Sequence, residues 1–537
     1  MSEVRTSEIG KDLRKWFSAM FTFVFFSLLF LVLYEKESEV IDLRDIDSTM
    51  VVEALDNIVS RGYPYSMANK AVRDAVPTFW TQGHEFCTEK FESFGGKLEK
   101  NIFNNHSYYI AYLFTPLTVF IDSKLVASGI HVGAFVAFLF ITFFVARRFG
   151  VNSFAVWPLV VLILVHPNWS EGIQGQYYFD RLFLPLGLLL AYFAFVLRDK
   201  PFNKRGLLLL CIVVFLTCSI MERAALITGF FLVSIICVYW NAYEPITRKI
   251  MLFVGVFSLV YAALITLSFE SDAMKSNQGK YIDVIYDLFT TKPYFMNPAL
   301  GVHAGVFLVI NGLLAIFALW SPRLLLIAFF IMLPNILIWD PGAATKSVWV
   351  THYHSLYFPF LTFAAIHGYS IISKSIAGRR VAILAASSIA ILLACTQPYA
   401  QGFGVSGAAY KRNAVYAALN YRAIPENPSK VFLSYRRQIE SYIPAGSKVA
   451  GPESVFMSLH KDRIMTFFPI GISNADYVIL TPHPEPKKGR IYSAGINFLG
   501  LEEKDIMERC LQYRLEKQGF DIENPFEVGY YRILSRK

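Results

Sequence analysis

Two carboxylates, Asp45 and Asp47, open the stretch RDIDSTMVVEALDNIVSRGYPY, just beyond the apolar run Phe21–Tyr34. A carboxylate placed where a chain leaves an apolar medium can take a proton from an incoming hydroxyl. Ionisable groups recur at corresponding places further along: His106, Glu171, Asp180, Arg181, Glu222, Arg223, Lys292, Lys346, His352 and His354. Arginine, lysine and histidine in such a set can neutralise a departing phosphate. The chemistry that fits is group transfer from a lipid phosphate, with Asp47 or Asp45 as base. His106, Asp180, Arg181, Glu222, Arg223, His352 and His354 are the candidates to bind substrate.

Each has a plainer reading. Asp45 and Asp47 suit a helix N-cap. Glu222 and Arg223 suit an exposed turn, and His106 an ordinary loop histidine. His352 and His354 are two apart, so on a helix they point in different directions. No metal is called for: HExxH, a CxxC pair, a glycine-rich phosphate loop and the GxSxG elbow are all absent. A divalent cation is the one cofactor the chemistry leaves room for.

These residues need elements to position them. The chain has 537 residues, 55% of them hydrophobic, and a positive mean hydropathy. Windows long enough to cross a bilayer recur. Eleven spans are expected, near 16–34, 124–146, 152–166, 182–197, 206–220, 224–240, 250–268, 301–320, 323–339, 353–373 and 380–397. The first ends at YEKESE without a small-residue cleavage site and reads as a retained helix. Residues 109–121 are too short for a span and read as an interfacial or re-entrant helix. One helix over 206–240 would be roughly 50 Å long and would bury Glu222 and Arg223, so two helices turning at MER are expected.

The loops ARRFG, RDKPFNKR, EPITRK, SPR and SKSIAGRR are basic, and therefore cytoplasmic. The net charge of +9 reflects those loops and implies no nucleic-acid partner. The loop 35–108 and everything after 398 then face outward, and the ionisable groups collect in a pocket opening outward at the membrane surface. Residues 1–398 form the membrane module and 399–537 a small extracytoplasmic α/β domain. In that domain KVFLSYRRQIESYIP, DYVILTPHP and GYYRILSRK carry β-like runs, and EEKDIMERCLQYRLEKQG reads as helical. Cys211, Cys218, Cys237 and Cys395 read as packing residues; Cys87 and Cys510 can pair if both face an oxidising compartment.

A membrane helix followed by an outer loop with an acidic opening resembles the GT-C class of integral-membrane glycosyltransferases. Arabinofuranosyl transferases of that class open on Asp-Asp or Asp-Asp-Ala, followed by a helix end A-x-N-L/I-V-x-G. The stretch DIDSTMVVEALDNIVSRG has that form. Asp47 falls on the second acidic position, Ile46 on the first, and Asp45 is displaced by one, so the choice between the two carboxylates stays open. Most of the chain also resembles a bacterial family of predicted membrane proteins of unknown function, itself similar to GT-C enzymes. The segments that carry this are NHSYYIAYLFTPLTVF, FDRLFLPLGLLLAYFAF, MERAALITGFFLV, SPRLLLIAFFIMLPNILI, THYHSLYFPFLTFAAI and IPAGSKVAGPESVFMSLHKDRIMTFFP. That family's recurring histidine falls on His106, its acidic positions near Asp180 and on Glu222, and its His-Tyr pair on His352 and Tyr353.

The resemblance implies a polytopic α-helical protein of GT-C type in the bacterial cytoplasmic (inner) membrane, with its C-terminus outside. It implies inverting transfer of a sugar from a polyprenyl-phosphate donor, with membrane lipid as a partner, to an extracytoplasmic acceptor: a glycan, a glycolipid or a surface protein such as a pilin. Two other classes compete. A transporter would place ionisable groups near the midplane, often within inverted repeats, and neither pattern is visible. A non-catalytic scaffold for envelope assembly would use the C-terminal domain as its binding module.

Overall fold

The computed structural model describes residues 2–38, 46–66, 100–101, 107–166, 177–268, 308, 311–337, 354–395, 428–451, 455, 458–459, 462–467, 472–480, 515–529 and 531–537. It is mainly helical. Helix α1 runs Ser2–Ser38, α2 Ile46–Arg61, α3 Ala111–Thr118, α4 Ser123–Arg148, α5 Ser153–Leu164 and α6 Phe183–Val196. Then come α7 (Lys204–Ile220), α8 (Glu222–Val238), α9 (Pro245–Ser268), α10 (Pro322–Leu337), α11 (His354–Ile372) and α12 (Ile376–Cys395). Residues 311–318 are also helical.

Among the described residues five helices are long and apolar enough to cross a bilayer: Ser123–Arg148, Phe179–Val196, Pro245–Ser268, His354–Ile372 and Ile376–Leu393. Such a set is that of an integral membrane protein. Burial sorts them. The apolar window of α11 is 83% buried, and those of α6 and α4 are 67% and 61%. For α9 and α12 the figure is 22%, so these two lie on the outside of the bundle. Where surrounding lipid is as apolar as leucine, close packing has to hold helices together. Gly229 on α8 provides it: a Cβ there would sit 2.6 Å from the carbonyl oxygen of Gly255 on α9.

The turn at Met221 separates α7 from α8 with one extended residue, φ −172° and ψ 166°. The chain folds back there. Thr228 Oγ1 donates to Thr217 Oγ1 at 3.1 Å, whereas eleven residues along one straight helix would span roughly 16 Å. Asp122 caps α4 through Lys124 N, and Asn152 caps α5 through Phe154 N. The short α3 leaves Leu113, Leu117, Val119 and Phe120 exposed, as a helix lying in a membrane surface would. The Tyr112 hydroxyl donates to Gly62 O at 3.1 Å, tying α3 to the end of α2. Burial pushes that phenol's pKa up, with the Tyr63 and Tyr109 phenols adding to the effect.

The C-terminal part holds a small mixed sheet. Its strands are β3 (Lys448–Gly451), β4 (Ile464–Phe467), β5 (Tyr477–Leu480), β6 (Phe526–Val528) and β7 (Tyr531–Ser535), in the order β4-β3-β5-β7-β6. Strands β1 (Tyr65–Ser66) and β2 (Lys100–Asn101) pair separately. β3 is parallel to β4 and β5, and β7 is antiparallel to β5 and β6. The stretch KVFLSYRRQIESY is not a strand: Pro428–Tyr442 form helix α13. Its alternating apolar residues misled the period-2 reading, but Tyr435, Ile439 and Tyr442 recur at helical spacing. Tyr442 stacks on Phe526 at 4.1 Å. Cys237 is exposed, not a packing residue as expected, while Cys211 and Cys218 are half-buried. Cys87, Cys510 and the side chain of Cys395 lie outside the described residues.

Candidate functional site

The bundle has two unlike ends. At one, Arg147, Arg148, Arg198, Arg248, Arg323 and Lys374 gather where α4, α6 and α11 finish and α5, α9, α10 and α12 begin. Cross-bundle contacts define that end: Tyr369 Oη donates to Ala155 O at 2.7 Å, and Tyr243 Oη to Ala194 O at 2.9 Å. At the other end α1 finishes, and α2, α4, α6, α8 and α11 begin. That end carries Glu37, Asp180, Glu222, His166 and His354.

The centre of that second end is the sequence Phe179-Asp180-Arg181-Leu182, a 3-10 turn that leads into α6. Phe179 and Phe183 on either side are buried, so the charged pair between them is drawn inside. Successive residues of a 3-10 turn point about 120° apart, and the two charges face different walls. Arg181 lies over the Phe135 ring of α4, with Cζ 5.5 Å from its centroid. Its Nη1 meets His354 Nε2 at 3.2 Å and donates to Ser355 Oγ at 3.3 Å, both at the start of α11. Since a guanidinium only donates, Nε2 is the accepting nitrogen of His354. Asp180 faces the other way and accepts from Tyr108 Oη at 3.4 Å.

Two further carboxylates close in. Glu222, in the first turn of α8, accepts from the backbone N–H of Ser107 at 3.4 Å, and the positive end of α8 favours its charge. Glu37, in the last turn of α1, accepts from Tyr177 Oη at 2.8 Å. Tyr177 N donates to Ser48 Oγ of α2 at 2.9 Å. The Tyr177 ring is 5.3 Å from His131, which is itself 5.3 Å from Phe135. His166 and His354 both stand against Phe358.

Asp180, Arg181, Glu222 and His354 are thus brought together, each between 0 and 4% exposed. Among the described residues these four side chains are buried, with the Ser107–Tyr108 segment against Glu222 and Asp180. The plainer reading of Glu222 as an exposed turn does not hold, since the reversal at Met221 is packed under Ser107; Arg223 beside it is half-buried. Asp47 is the second residue of α2. Its side chain, together with Asp45, His106, Glu171, Lys292, Lys346 and His352, lies outside the described residues. The chain neighbours of two of them reach the group nonetheless: Ser48 through Tyr177, and Ser107 through Glu222.

Sequence reasoning missed Glu37, Tyr108, His131, His166 and Tyr177. The signals existed. Phe26, Phe30, Leu33 and Glu37 recur at helical spacing on one face of α1, which carries Glu37 inward. His131 sits inside an apolar span, where an ionisable side chain is a functional candidate by position alone. Among the described residues no group of three or more His, Cys, Asp or Glu is placed to hold a metal ion.

Fold and site together define a helical membrane protein with a buried ionisable group at one end of its bundle. No protein-family profile matches the chain, and no curated protein matches it.

Proposed function

We propose that this chain is a GT-C-like glycosyltransferase of eleven spans in the bacterial inner membrane. It takes a sugar from a polyprenyl-phosphate donor and passes it to an acceptor outside the cytoplasm. One observation carries the reading: Arg181, buried to 1% exposure, is fixed by His354, Ser355 and Phe135, with Asp180 in the same turn and Glu222 at the start of α8. Taking a charged side chain out of water costs several kcal/mol unless it is paired and hydrogen-bonded. Groups that costly, in a lipid-facing bundle, are kept for an anionic or proton-bearing ligand. Here Arg181, oriented by His354, neutralises the departing lipid phosphate, and Asp47 takes the proton from the acceptor hydroxyl. The placement of Ser48 against Tyr177 supports that role for its neighbour. The basic end of the bundle is cytoplasmic by the positive-inside rule, which puts the site, the loop 35–108 and the domain 399–537 outside.

The depth of His131, eight residues into α4, favours a second reading as a proton-coupled transporter. One experiment separates the two. Envelope glycans, glycoproteins and lipid-linked sugars are measured by mass spectrometry in a strain lacking the protein, then complemented with parent or Asp47→Asn. A sugar lost on deletion and restored only by the parent supports transfer. Unchanged glycans in the deletion strain refute it.

A further inference from the structure

The basic end holds a second arrangement that the transfer reading does not use. Asp199 adopts φ +55°, alone among the described non-glycine residues, and its N–H donates to Ala242 O at 2.7 Å. That docks the α6–α7 turn onto the α8–α9 turn and delivers Arg198 to an aromatic floor. The Arg198 guanidinium lies 4.1 Å from the Phe195 centroid and 4.8 Å from that of Tyr239. Arg323, in the first turn of α10, stands over the same Tyr239 ring at 5.6 Å. His367 closes the floor, 4.8 Å from Phe195, with Nδ1 2.9 Å from Ser321 Oγ. Lys374, in the α11–α12 turn, is exposed at the same end. Two cations from two segments therefore share one aromatic floor, and a third, Lys374, lies in the neighbouring turn. The carboxylate beside them, Asp199, is already engaged with Arg198 at 2.7 Å.

The surroundings restrict what can satisfy this excess charge. Arg323 is exposed and heads a stripe on α10 in which Leu326 and Phe330 follow at helical spacing, 50% and 48% exposed. Trp320 just before it is exposed as well, as suits a membrane interface. A ligand that fits has an anionic phosphate next to a long apolar chain.

We propose that Arg198, Arg323 and Lys374 bind the phosphate of an anionic phospholipid whose acyl chain lies along Leu326 and Phe330. Guanidinium forks suit phosphate oxygens, and basic pockets between membrane helices are suited to such head groups. The site is separate from the carboxylate end, so it stands or falls independently of the transfer reading.

The test uses the full chain in phosphatidylcholine nanodiscs titrated with phosphatidylglycerol, read by native mass spectrometry and apparent Tm. The parent should retain phosphatidylglycerol and melt at a higher temperature with it. A direct charge-assisted contact to the phosphate is worth about tenfold or more in affinity, so the double variant Arg323→Gln, Lys374→Gln should bind roughly 100-fold more weakly. The control Lys200→Gln, Arg380→Gln removes the same charge at the same end, off the aromatic floor, and should bind like the parent. Equal losses in both double variants would reduce the effect to a general basic belt and overturn the site. So would an equal stabilisation by phosphatidylcholine alone. Inorganic phosphate reproducing the full effect without anionic lipid would overturn the lipid assignment.

Discussion

Replacing Arg181 by methionine tests whether the buried charge is balanced, as its position demands. The change keeps an unbranched side chain of comparable length and deletes the guanidinium. Lost with it are the ring contact to Phe135 and two hydrogen bonds from one nitrogen, at 3.2 and 3.3 Å. At those lengths the two bonds together contribute about 1.5–3 kcal/mol, and a desolvated ring contact about 2 kcal/mol. These terms overlap, because the same group makes all three. The larger consequence is that Asp180 and Glu222, 0 and 4% exposed, lose a buried cation close by. Breaking a buried charge arrangement by removing one partner costs about 3–5 kcal/mol, and that figure is the expected net effect. At about 2–4 °C per kcal/mol for a large domain, the apparent Tm should fall by roughly 6–20 °C. The assay is thermal unfolding in detergent, followed by fluorescence-detected size exclusion. The variant pair Asp180→Asn, Arg181→Met removes one charge of each sign and should recover only the part of the loss due to uncompensated charge, not the contacts to Phe135, His354 and Ser355. Arg181→Lys, which keeps the charge without the fork, should fall between. A melting temperature unchanged in Arg181→Met would mean that the charge is not balanced inside the bundle, and the reasoning from burial to function would fail with it.

Four other outcomes are expected. Asp47→Asn should leave the fold intact and lower sugar transfer by the roughly 100–10,000-fold typical of a lost acid–base group, measured on complemented strains; full activity would move the role to Asp45. Gly368→Ala should destabilise by about 1–3 kcal/mol or more, because its Cβ would sit 1.9 Å from the Phe317 carbonyl oxygen, whereas Gly312→Ala meets nothing within 4 Å and should be neutral or stabilising in melts. Tyr177→Phe leaves Glu37 short of its 2.8 Å donor and should cost about 1–3 kcal/mol by the same assay. In the sheet domain, Asn524 beside Asp521 holds its carboxyl below the usual range, with Lys537 helping. A depressed folded pKa contributes stability that is present above the unfolded value of about 3.9 and lost as pH falls through the folded one. Hydrogen exchange at 519–537 should therefore accelerate only below about pH 4, and Asp521→Asn should abolish that step.

The helices were legible because long apolar windows in a basic-loop frame leave few alternatives. The break at Met221 was legible too, since a single helix would have been too long and too charged. The polar group was half legible. Asp180, Arg181, Glu222 and His354 could be named from their place at span ends, but not their burial. Burial depends on which loop segment roofs them, and nothing local in Ser107–Tyr108 or Tyr177 announces that. Glu37 was hidden by looking like the polar end of a span, and His131 by its apolar neighbours. α13 was misread because its short apolar recurrences satisfy both periods until Tyr442 finds Phe526 across the sheet.

The partners of Arg181 have a consequence for how the chain is made. Arg181 precedes His354 by 173 residues, and α11, which brings that histidine, is the most buried of the five long apolar helices. At about 5–20 residues per second of synthesis, roughly 10–35 seconds separate the two. Throughout that interval the arginine has been made while its acceptors have yet to be synthesised. The nascent bundle must therefore keep a gap open beside α6, at the translocon or under an insertion chaperone, until α11 arrives to fill it. A ribosome stalled between the two leaves a charged, unsealed bundle, the state a membrane quality-control protease is equipped to recognise.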